Sequence, residues 1–491
     1  MFKRNVLNNK NLILLLFFLI IIIFSIINKN YLISILYILT ILISLYLIKN
    51  KNIYNFVYAI LLVSLFFDYS LYLPHIEKIY IFHIVLFIFT LLSLYRLFKH
   101  PDIFLKLDKK ILVFYLIAFI YMCISITWAL NKALSLKYLA IYIMMFAFII
   151  DMMVYNINND NLKQTITLLI LLFSLVAIIG LCEVLLGKQL PIKHYYDSFN
   201  LSKFDYHLVR ARGLAFSFNT NNLAITLAIF SPLFFYCIYK FNNIPLKIYF
   251  YIISCMMFSL IVITTSRTGV ESIKISFALF FVYCILNLKN IKLKGLVFPL
   301  LILISFVFLR YNSLNLVHIQ NIDDSSKSKI NSLLTDKMDA LTSANLEVGG
   351  DGSINVRYTI ANDVINGVLT NEKNLLGYGV GNVEQYLKNQ NNTNNVFSPH
   401  GLAIELLGDF GVPGIILYGI YYLYLLISNI IIGLKQKSIP CIACATSLLA
   451  FPIASFGPSS ITYVFSYWLL IAISISCIQV YKRDTLQEIQ T

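Results

Sequence analysis

A histidine leads directly into an apolar run late in the chain. The stretch HGLAIELLGDFGVPG begins at His400 and ends at Gly414. Imidazole has a reference pKa of about 6.5, so a histidine at the mouth of a helix bundle can accept a proton near neutral pH as a general base. An interfacial histidine can also serve a structural hydrogen bond, and His400 taken alone favours that role. On the residues alone, His400 is a candidate general base.

Four arginines could bind an anionic substrate. Arg210 and Arg212 lie in RARGLAFSFNTNNLA, Arg267 lies in TTSRTG, and Arg357 lies in the long polar segment before the histidine. Planar guanidinium groups bind phosphate oxygens in pairs, whereas a lysine would neutralise them without orienting them. The alternative for Arg210 and Arg212 is snorkelling to lipid headgroups. The four arginines are therefore candidates for binding an anion that carries phosphate groups.

Ionisable residues inside apolar runs form a further group of candidates, because a charge there is costly and usually faces a partner or a cavity. Glu405 could orient a cationic partner, and Asp409 could mark a break in its helix. Glu271 and Lys274 stand three residues apart. At that spacing they either pair with each other on one helix face or line a polar surface beneath the site.

The composition requires a membrane to position these residues. The chain has 491 residues, of which 59% are hydrophobic and only 12% charged, with a mean hydropathy of +0.79. An ordinary soluble domain is about 25% charged. The apolar residues form runs close to the roughly 20 residues that a helix needs to cross a bilayer. The first run is followed almost at once by a second with no small-residue cleavage site between them, so we expect it to stay attached.

The runs and breaks predict an all-α integral membrane protein of about 12–14 transmembrane helices with short amphipathic helices in a large extracytoplasmic loop. The candidate spans are near 11–28, 31–48, 53–67, 79–98, 111–130, 138–155, 165–186, 215–239, 248–265, 270–288, 295–309, 402–433, 440–457 and 460–480. The predicted organisation is N-terminal transmembrane helices at 1–186, a basic extracytoplasmic loop at 187–214, central transmembrane helices at 215–309, a large extracytoplasmic loop at 310–401, C-terminal transmembrane helices at 402–480 and a cytoplasmic tail at 481–491.

The distribution of lysine and arginine predicts the orientation. With the N-terminus in the cytoplasm, most basic residues fall in inside segments and few in the short outside loops, as the positive-inside rule demands. Both termini are then cytoplasmic, and the two long loops lie outside. The positive-inside rule does not apply to long translocated loops, so topology does not require the basic residues of 187–214. These residues could instead bind an anionic ligand. They are Lys188, Lys193, Lys203, Arg210 and Arg212.

The large loop has a structured part. Apolar residues at 360–368 recur at helical spacing after Arg357, which predicts a helix on the membrane surface or over a cavity. A similar pattern over 333–341 suggests another helix. The glycines of LLGYGVGN, at 375–382, indicate turns in which the backbone can approach another segment closely. They do not indicate a nucleotide-binding loop, because no strand precedes them.

The cysteines do not indicate a disulfide framework or a metal site. All eight fall inside apolar runs, and the C-x-x-C pair Cys441 and Cys444 has no second pair and no nearby histidine. No D-x-D motif or compact His/Asp/Glu set stands near the candidate site either. We therefore expect no metal and no cofactor, with arginines instead of a divalent ion neutralising an anionic ligand.

The histidine stretch resembles the signature of the bacterial O-antigen ligase and O-antigen polymerase family, which includes teichuronic-acid-polymerase-like proteins. That signature is a histidine, a small polar residue, nine residues and G-x-x-G. Here Gly401 follows His400, nine residues at 402–410 come next, and Gly411 and Gly414 close the motif. The family usually has Asn, Ser or Gln at the position of Gly401, so a supporting hydrogen bond is expected to be absent.

Other stretches resemble the same family, and the resemblance covers roughly residues 200–480. The matching features are an external R-x-x-x-L element at Arg210 and Leu214, an arginine before glycine at Arg212, Asn-x-Ala from Asn222 to Ala224, a Ser-Arg-x-Gly turn at Arg267, and an arginine-led helix at Arg357 followed by a Gly-x-Gly turn.

The resemblance implies a metal-independent, inverting, GT-C-like glycosyltransferase of cell-surface polysaccharide biosynthesis. It would transfer a glycan from undecaprenyl diphosphate to an acceptor sugar hydroxyl, with His400 as the base and the four arginines on the leaving group. Glu405, Gly411, Gly414 and Asn222 would support the site. A polymerase is slightly favoured over a ligase, because the motif departs at Gly401 and the chain is longer than many ligases.

The same resemblance implies the partners and the location. The partners would be the undecaprenyl-diphosphate-linked glycan, a glycan or lipid-anchored acceptor, the lipid bilayer and, as a further candidate, a chain-length regulator, but no nucleic acid. The protein would lie in the bacterial inner (cytoplasmic) membrane with an extracytoplasmic active site. The alternatives are a flippase or transporter of lipid-linked glycans, whose charges would scatter around the bilayer midplane, and an anchored scaffold that would not need the histidine.

Overall fold

Apolar helices make up most of the described part of the chain. The computed structural model describes residues 21, 23, 30–48, 52–67, 70, 72–73, 76–198, 209–210, 212–287, 293–318, 332–333, 346–350, 352–393 and 395–490. Within these residues, ten helices are long and apolar enough to cross a membrane, and three shorter apolar helices accompany them. The predicted all-α integral membrane protein is thereby confirmed. The first predicted span, 11–28, falls almost entirely outside the described residues.

The N-terminal half is a series of apolar helices with one small hairpin. The strands of the hairpin pair Tyr72 with Tyr80 and Leu73 with Ile76, and α5 continues as a 3-10 turn at Ile126–Trp128. The elements are α1 (Tyr31–Leu47), α2 (Ile53–Phe66), β1 (Tyr72–Leu73), β2 (Ile76–Tyr80), α3 (Ile81–Lys99), the short α4 (Asp102–Lys106), α5 (Lys109–Ser125), α6 (Lys132–Tyr155) and α7 (Asn159–Leu186).

The C-terminal half surrounds one central helix. Helix α8 packs against α9, α10 and α15, and every residue from Leu223 to Ile238 is buried. The elements are α8 (Thr220–Lys240), α9 (Ile244–Ile263), α10 (Arg267–Leu286), α11 (Val297–Asn312), α12 (Ser353–Ile365), α13 (Val383–Gln390), α14 (Leu402–Lys435), α15 (Ile439–Ala454) and α16 (Phe465–Gln490).

Two spans begin later than predicted, because the residues before them form loops with polar partners. Helix α8 begins at Thr220 and not near 215, since Asn219 caps it by accepting a hydrogen bond from the Asn222 amide at 2.8 Å. Helix α16 begins at Phe465 and not near 460. At the other boundary, a 3-10 turn extends α11 to Leu316, so the large loop begins after 316 and not at 310.

Two helices of the large loop form a cap with its own apolar core. Helix α12 contains Arg357 instead of following it, and a π-helical turn at Asn366–Thr370 extends it. This cap, defined as α12, the π-helical turn and α13, buries Ile360 and Val364 together with Ile404 of α14. The predicted helix over 360–368 is therefore present. The one suggested at 333–341 lies almost entirely outside the described residues.

Candidate active site

His400 sits in a strained backbone position between the cap and α14. Its φ is +46°, in the left-handed region that a side chain disfavours. Its amide donates to the Ser459 carbonyl at 3.0 Å, and its Nδ1 lies 3.1 Å from the Pro458 carbonyl. A carbonyl can only accept, so Nδ1 carries the ring proton and Nε2 presents its lone pair. We call this end of the bundle the His400 end.

The surroundings of His400 favour the neutral imidazole. The pKa of His400 is lowered from 6.5 to about 4, mainly by burial and also by the charge of Arg357, while the hydrogen bond to Pro458 acts in the opposite direction. At neutral pH the ring is therefore unprotonated at Nε2. It can accept a proton without first losing one.

Glu405 binds the loop that contacts His400. Its Oε1 accepts from Ser460 Oγ and Thr462 Oγ1, both at 2.6 Å, and its Oε2 accepts from the Ile461 amide at 2.9 Å. The expectation that Glu405 orients a cationic partner is wrong for the described residues, because its partners are two hydroxyls and an amide. Glu405 instead fixes the loop whose carbonyls bind His400.

Arg267, at the start of α10, and Arg357, in the cap, lie close to that loop. A Cβ on Gly457, one residue before Pro458, would lie 2.8 Å from Thr268 Oγ1, so the loop touches the start of α10. Arg267 Nη2 donates to Ser353 Oγ of α12 at 3.4 Å. Burial and the charge of Arg267 together lower the pKa of Arg357. These contacts bring both arginines to the same place as His400.

Neither of these two arginines is neutralised by a carboxylate within the described part of the chain. Arg267 Nη1 and Arg357 Nε are buried there without a hydrogen-bond partner, and no ion pair of either residue occurs among the described side chains. Buried guanidinium nitrogens without a partner are costly. Such a pair is suited to an incoming anion with several oxygens.

Arg212 approaches the same region, whereas Arg210 belongs to a separate cluster. Arg212 is 9% exposed, and its Nη1 donates to Thr265 Oγ1 at 3.4 Å, two residues before Arg267. Burial lowers the pKa of Arg212 to about 10, which leaves it protonated at neutral pH. Arg210 Nη2 lies 4.0 Å from Asp197 Oδ1, and its guanidinium is 5.8 Å from the Tyr196 ring centroid.

Two residues near the arginines, Glu183 and His194, were not predicted from the sequence. Glu183, at the end of α7, accepts hydrogen bonds from the amides of Leu190, Leu214 and Ala215 at 2.6–2.7 Å. It thereby fixes both ends of the segment that carries Arg212. An acid alone inside an apolar run was the available signal. His194 is also buried, and burial lowers its pKa to about 4, but no sequence pattern marks it.

Asp409 and Gly411 connect α14 to the Gly-x-Gly turn of the large loop. Asp409 accepts from the amides of Gly381 and Val383, both at 2.8 Å. The break in α14 is at Gly411 (φ 62°, ψ −157°), and not at Asp409 as suggested. A Cβ on Gly411 would lie 2.0 Å from the Leu375 carbonyl oxygen, so only glycine allows this approach.

The remaining supporting residues have structural surroundings. Gly401 has a φ of +153°, which favours glycine, and a Cβ there would lie 3.1 Å from Phe456. The unusual residue at this position thus fits a backbone requirement. A Cβ on Gly414 would lie 2.2 Å from the Cβ of Phe410. Asn222 Oδ1 is buried without a partner among the described residues, in the first turn of α8.

Glu271 and Lys274 are outside this arrangement. Their side chains pair at 2.7 Å and are 46% and 51% exposed, respectively. The pairing alternative is therefore confirmed, and these residues do not line a polar surface beneath the site.

A groove opens beside the loop that binds His400. Its volume is about 400 Å³, and it lies between α3, α6 and the start of α16. Lys137 and Tyr463 line one part of it, whereas Met144, Met145 and Phe465 make another part apolar. Thr462 lines the groove and also donates to Glu405. No group of three His, Cys, Asp or Glu side chains that could hold a metal occurs among the described residues.

Comparison with known proteins agrees with the motif. Residues 252–419 match the model of the O-antigen ligase family, about a third of the chain, and this match includes Arg267, Arg357, His400 and Glu405 but not Arg210 or Arg212. It is narrower than the expected 200–480.

A stretch of 120 residues is 28% identical to the teichuronic acid biosynthesis protein TuaE of Bacillus subtilis (strain 168). This match covers 22% of the chain and only 23% of that relative. The segment that joins α10, the cap and the first part of α14 is therefore similar to the O-antigen ligase family, and the resemblance is confirmed.

Proposed function

We propose that the protein is a membrane glycosyltransferase that transfers a glycan from a polyprenyl diphosphate, undecaprenyl diphosphate in bacteria, to an acceptor sugar hydroxyl. The observation that carries the proposal is the meeting of an imidazole with a free Nε2 lone pair and two arginines that lack a carboxylate partner in the described residues. This combination matches a reaction that removes one proton and releases one diphosphate.

The proposed reaction is a single displacement at the anomeric carbon. His400 Nε2 removes the proton of the acceptor hydroxyl while its oxygen forms a bond to the anomeric carbon. The bond from that carbon to the diphosphate oxygen breaks, and the polyprenyl diphosphate departs with the electron pair. Attack opposite the leaving group inverts the configuration. Arg267, Arg357 and Arg212 stabilise the negative charge that develops on the diphosphate.

The lipid chain of the donor would enter laterally through the groove between α3 and α6. The apolar part of the groove at Met144, Met145 and Phe465 suits a polyprenyl chain, and Lys137 suits the nearby phosphates. The orientation inferred from the positive-inside rule puts this reaction on the extracytoplasmic side, with both termini in the cytoplasm. The slight preference for a polymerase over a ligase still rests on the sequence.

The decisive experiment compares wild-type protein with His400→Ala in detergent, using a defined polyprenyl-diphosphate glycan and following product by gel mobility. Loss of a general base lowers the rate by about 100- to 10,000-fold. His318→Gln is the matched control, because that histidine is exposed and its backbone amide donates to the Val184 carbonyl in α7. Undiminished product from His400→Ala would remove the base from the mechanism. If purified wild-type protein moves the donor across vesicles and makes no product, it is a flippase.

A further inference from the structure

A second cavity, lined by polar residues, lies at the end of the bundle opposite to the His400 end. It has a volume of about 500 Å³ and lies between α2, α3 and the start of α7. Helix α3 contributes His83 to the groove near its start and Lys99 to this cavity at its end. At 1.5 Å per residue, the two regions are roughly 25 Å apart. Small-molecule sites usually have about 300–1,000 Å³, so this cavity is large enough to bind a ligand of its own.

The cavity is cationic. Arg96, Lys99 and His100 line it, and none of its described lining residues is acidic. The guanidinium of Arg96 lies 4.6 Å from the ring centroid of Tyr54, and this ring stacks on Phe89 at 4.8 Å. Arg96 makes no ion pair among the described residues. Its charge is therefore positioned by aromatic contacts and is not cancelled by a carboxylate.

Two helix N-termini add positive potential to the same cavity. Asn52 caps α2 by accepting from the Asn55 amide at 2.7 Å, and Asn158 caps α7 by accepting from the Asn161 amide at 2.9 Å. All four asparagines line the cavity. Each helix start carries about half a positive charge, and each cap uses only the amide oxygen, which leaves the NH₂ group as a donor.

The rim of the cavity is apolar. Ile53 and Leu92 line it together with Tyr95, which is 59% exposed, and the neighbouring Phe98 is 88% exposed on the outer surface of α3. In a membrane-spanning protein, large apolar side chains with this exposure face acyl chains. We propose that the cavity binds the phosphate-bearing headgroup of an anionic phospholipid, with the acyl chains against Tyr95 and Phe98.

Thermal unfolding of the full-length protein in detergent tests this proposal. Added phosphatidylglycerol should raise the Tm, because a ligand that binds only the folded state stabilises it, whereas phosphatidylcholine should not. Inorganic phosphate is the third arm. A rise with phosphatidylglycerol alone supports the lipid headgroup. An equal rise with inorganic phosphate would overturn the lipid source and assign a soluble phosphate to the cavity.

Two double variants test whether the rise in Tm with phosphatidylglycerol comes from this cavity. Arg96→Gln combined with Lys99→Gln should abolish the rise in Tm, and Lys99→Gln combined with His100→Gln, which changes only exposed side chains, should reduce it even if the first variant does not fold. Lys109→Gln with Lys110→Gln is the control, because it removes two exposed lysines from the start of α5, outside the cavity. If phosphatidylglycerol stabilises all of these proteins equally, or none including wild type, the proposal is wrong.

Discussion

His400 and Glu405 bind the same short loop from two sides. His400 Nδ1 contacts the Pro458 carbonyl at 3.1 Å, and Glu405 accepts hydrogen bonds from Ser460, Ile461 and Thr462 at 2.6–2.9 Å. The tautomer of the imidazole therefore depends on a carboxylate that it does not touch. Glu405 is a positioning residue in this arrangement.

Glu405→Gln should lower kcat more than it raises KM. The amide keeps one acceptor oxygen but places an NH₂ group against a donor, which costs about 1–3 kcal/mol and displaces the loop. A displacement of about 1 Å can lower a rate by about 100-fold. Steady-state kinetics with the lipid-linked donor measure both constants.

The control for Glu405→Gln is Glu384→Gln, since Glu384 lies in the cap and accepts only from the Tyr138 hydroxyl at 3.2 Å in the described structure. Ser460→Ala should have an intermediate effect, because it removes one of three bonds. Equal kinetics for Glu405→Gln and wild type would contradict the positioning role.

The pH dependence of kcat/KM should have an unusually low acidic limb. The pKa of His400 is lowered to about 4, so Nε2 is unprotonated above that pH, and activity should be lost as the pH falls through about 4 instead of 6.5. In Arg357→Gln the repulsive charge is gone, so the pKa rises and the limb moves to higher pH.

Lys388→Gln is the matched control for that shift, because it removes an exposed cation from α13 of the cap. The acidic limb of kcat/KM for Lys388→Gln should lie at the same pH as that of wild type. A limb that moves to lower pH in Arg357→Gln would show that the arginine does not act on His400 as inferred.

Lysine should not replace Arg267 or Arg357. Lysine keeps the charge but cannot bind two phosphate oxygens at a fixed angle. A charge-assisted hydrogen bond contributes about 1.5–3 kcal/mol, so each substitution should reduce kcat/KM for the donor by about 10- to 100-fold. Arg310→Lys at the end of α11 is the control. Wild-type kcat/KM in Arg267→Lys and Arg357→Lys would show that neither guanidinium orients the diphosphate.

Gly411→Ala should destabilise the protein while Gly419→Ala should not. The backbone of Gly411 lies in a region that costs a side chain about 1–3 kcal/mol, and its Cβ would meet the Leu375 carbonyl oxygen at 2.0 Å. A Cβ on Gly419, in the same helix, would meet no atom within 4 Å. Thermal unfolding in detergent compares the two. Equal Tm values for Gly411→Ala and Gly419→Ala would mean that α14 and residues 375–377 can move apart without loss of stability.

The sequence predicted the membrane fold better than the contacts within the candidate site. Apolar runs define spans through length alone, which is why the predicted all-α membrane fold is confirmed. The motif at 400–414 identified Gly411, because a glycine at a fixed distance from a histidine can be read locally. The close approach of Gly411 to the Leu375 carbonyl could not be predicted from the sequence, because 36 residues separate the two.

The loop between α15 and α16 illustrates the same limit. Its residues 457–462 lie at the boundary between the predicted spans 440–457 and 460–480. That its carbonyls bind His400 depends on a contact 58 residues apart in the sequence. Glu183 could have been noticed as a charge in an apolar run, but its three amide partners lie in a loop with no pattern of its own.

Glu183 and Asp409 bind only backbone amides among the described residues. Nearly every amino acid supplies that amide, so the side chains of residues 190, 214, 215 and 383 are not part of these bonds. The loops around the candidate site can therefore keep their hydrogen bonds when the side chains at these four positions change. Position 381 differs, because a Cβ there would lie 2.2 Å from Tyr138.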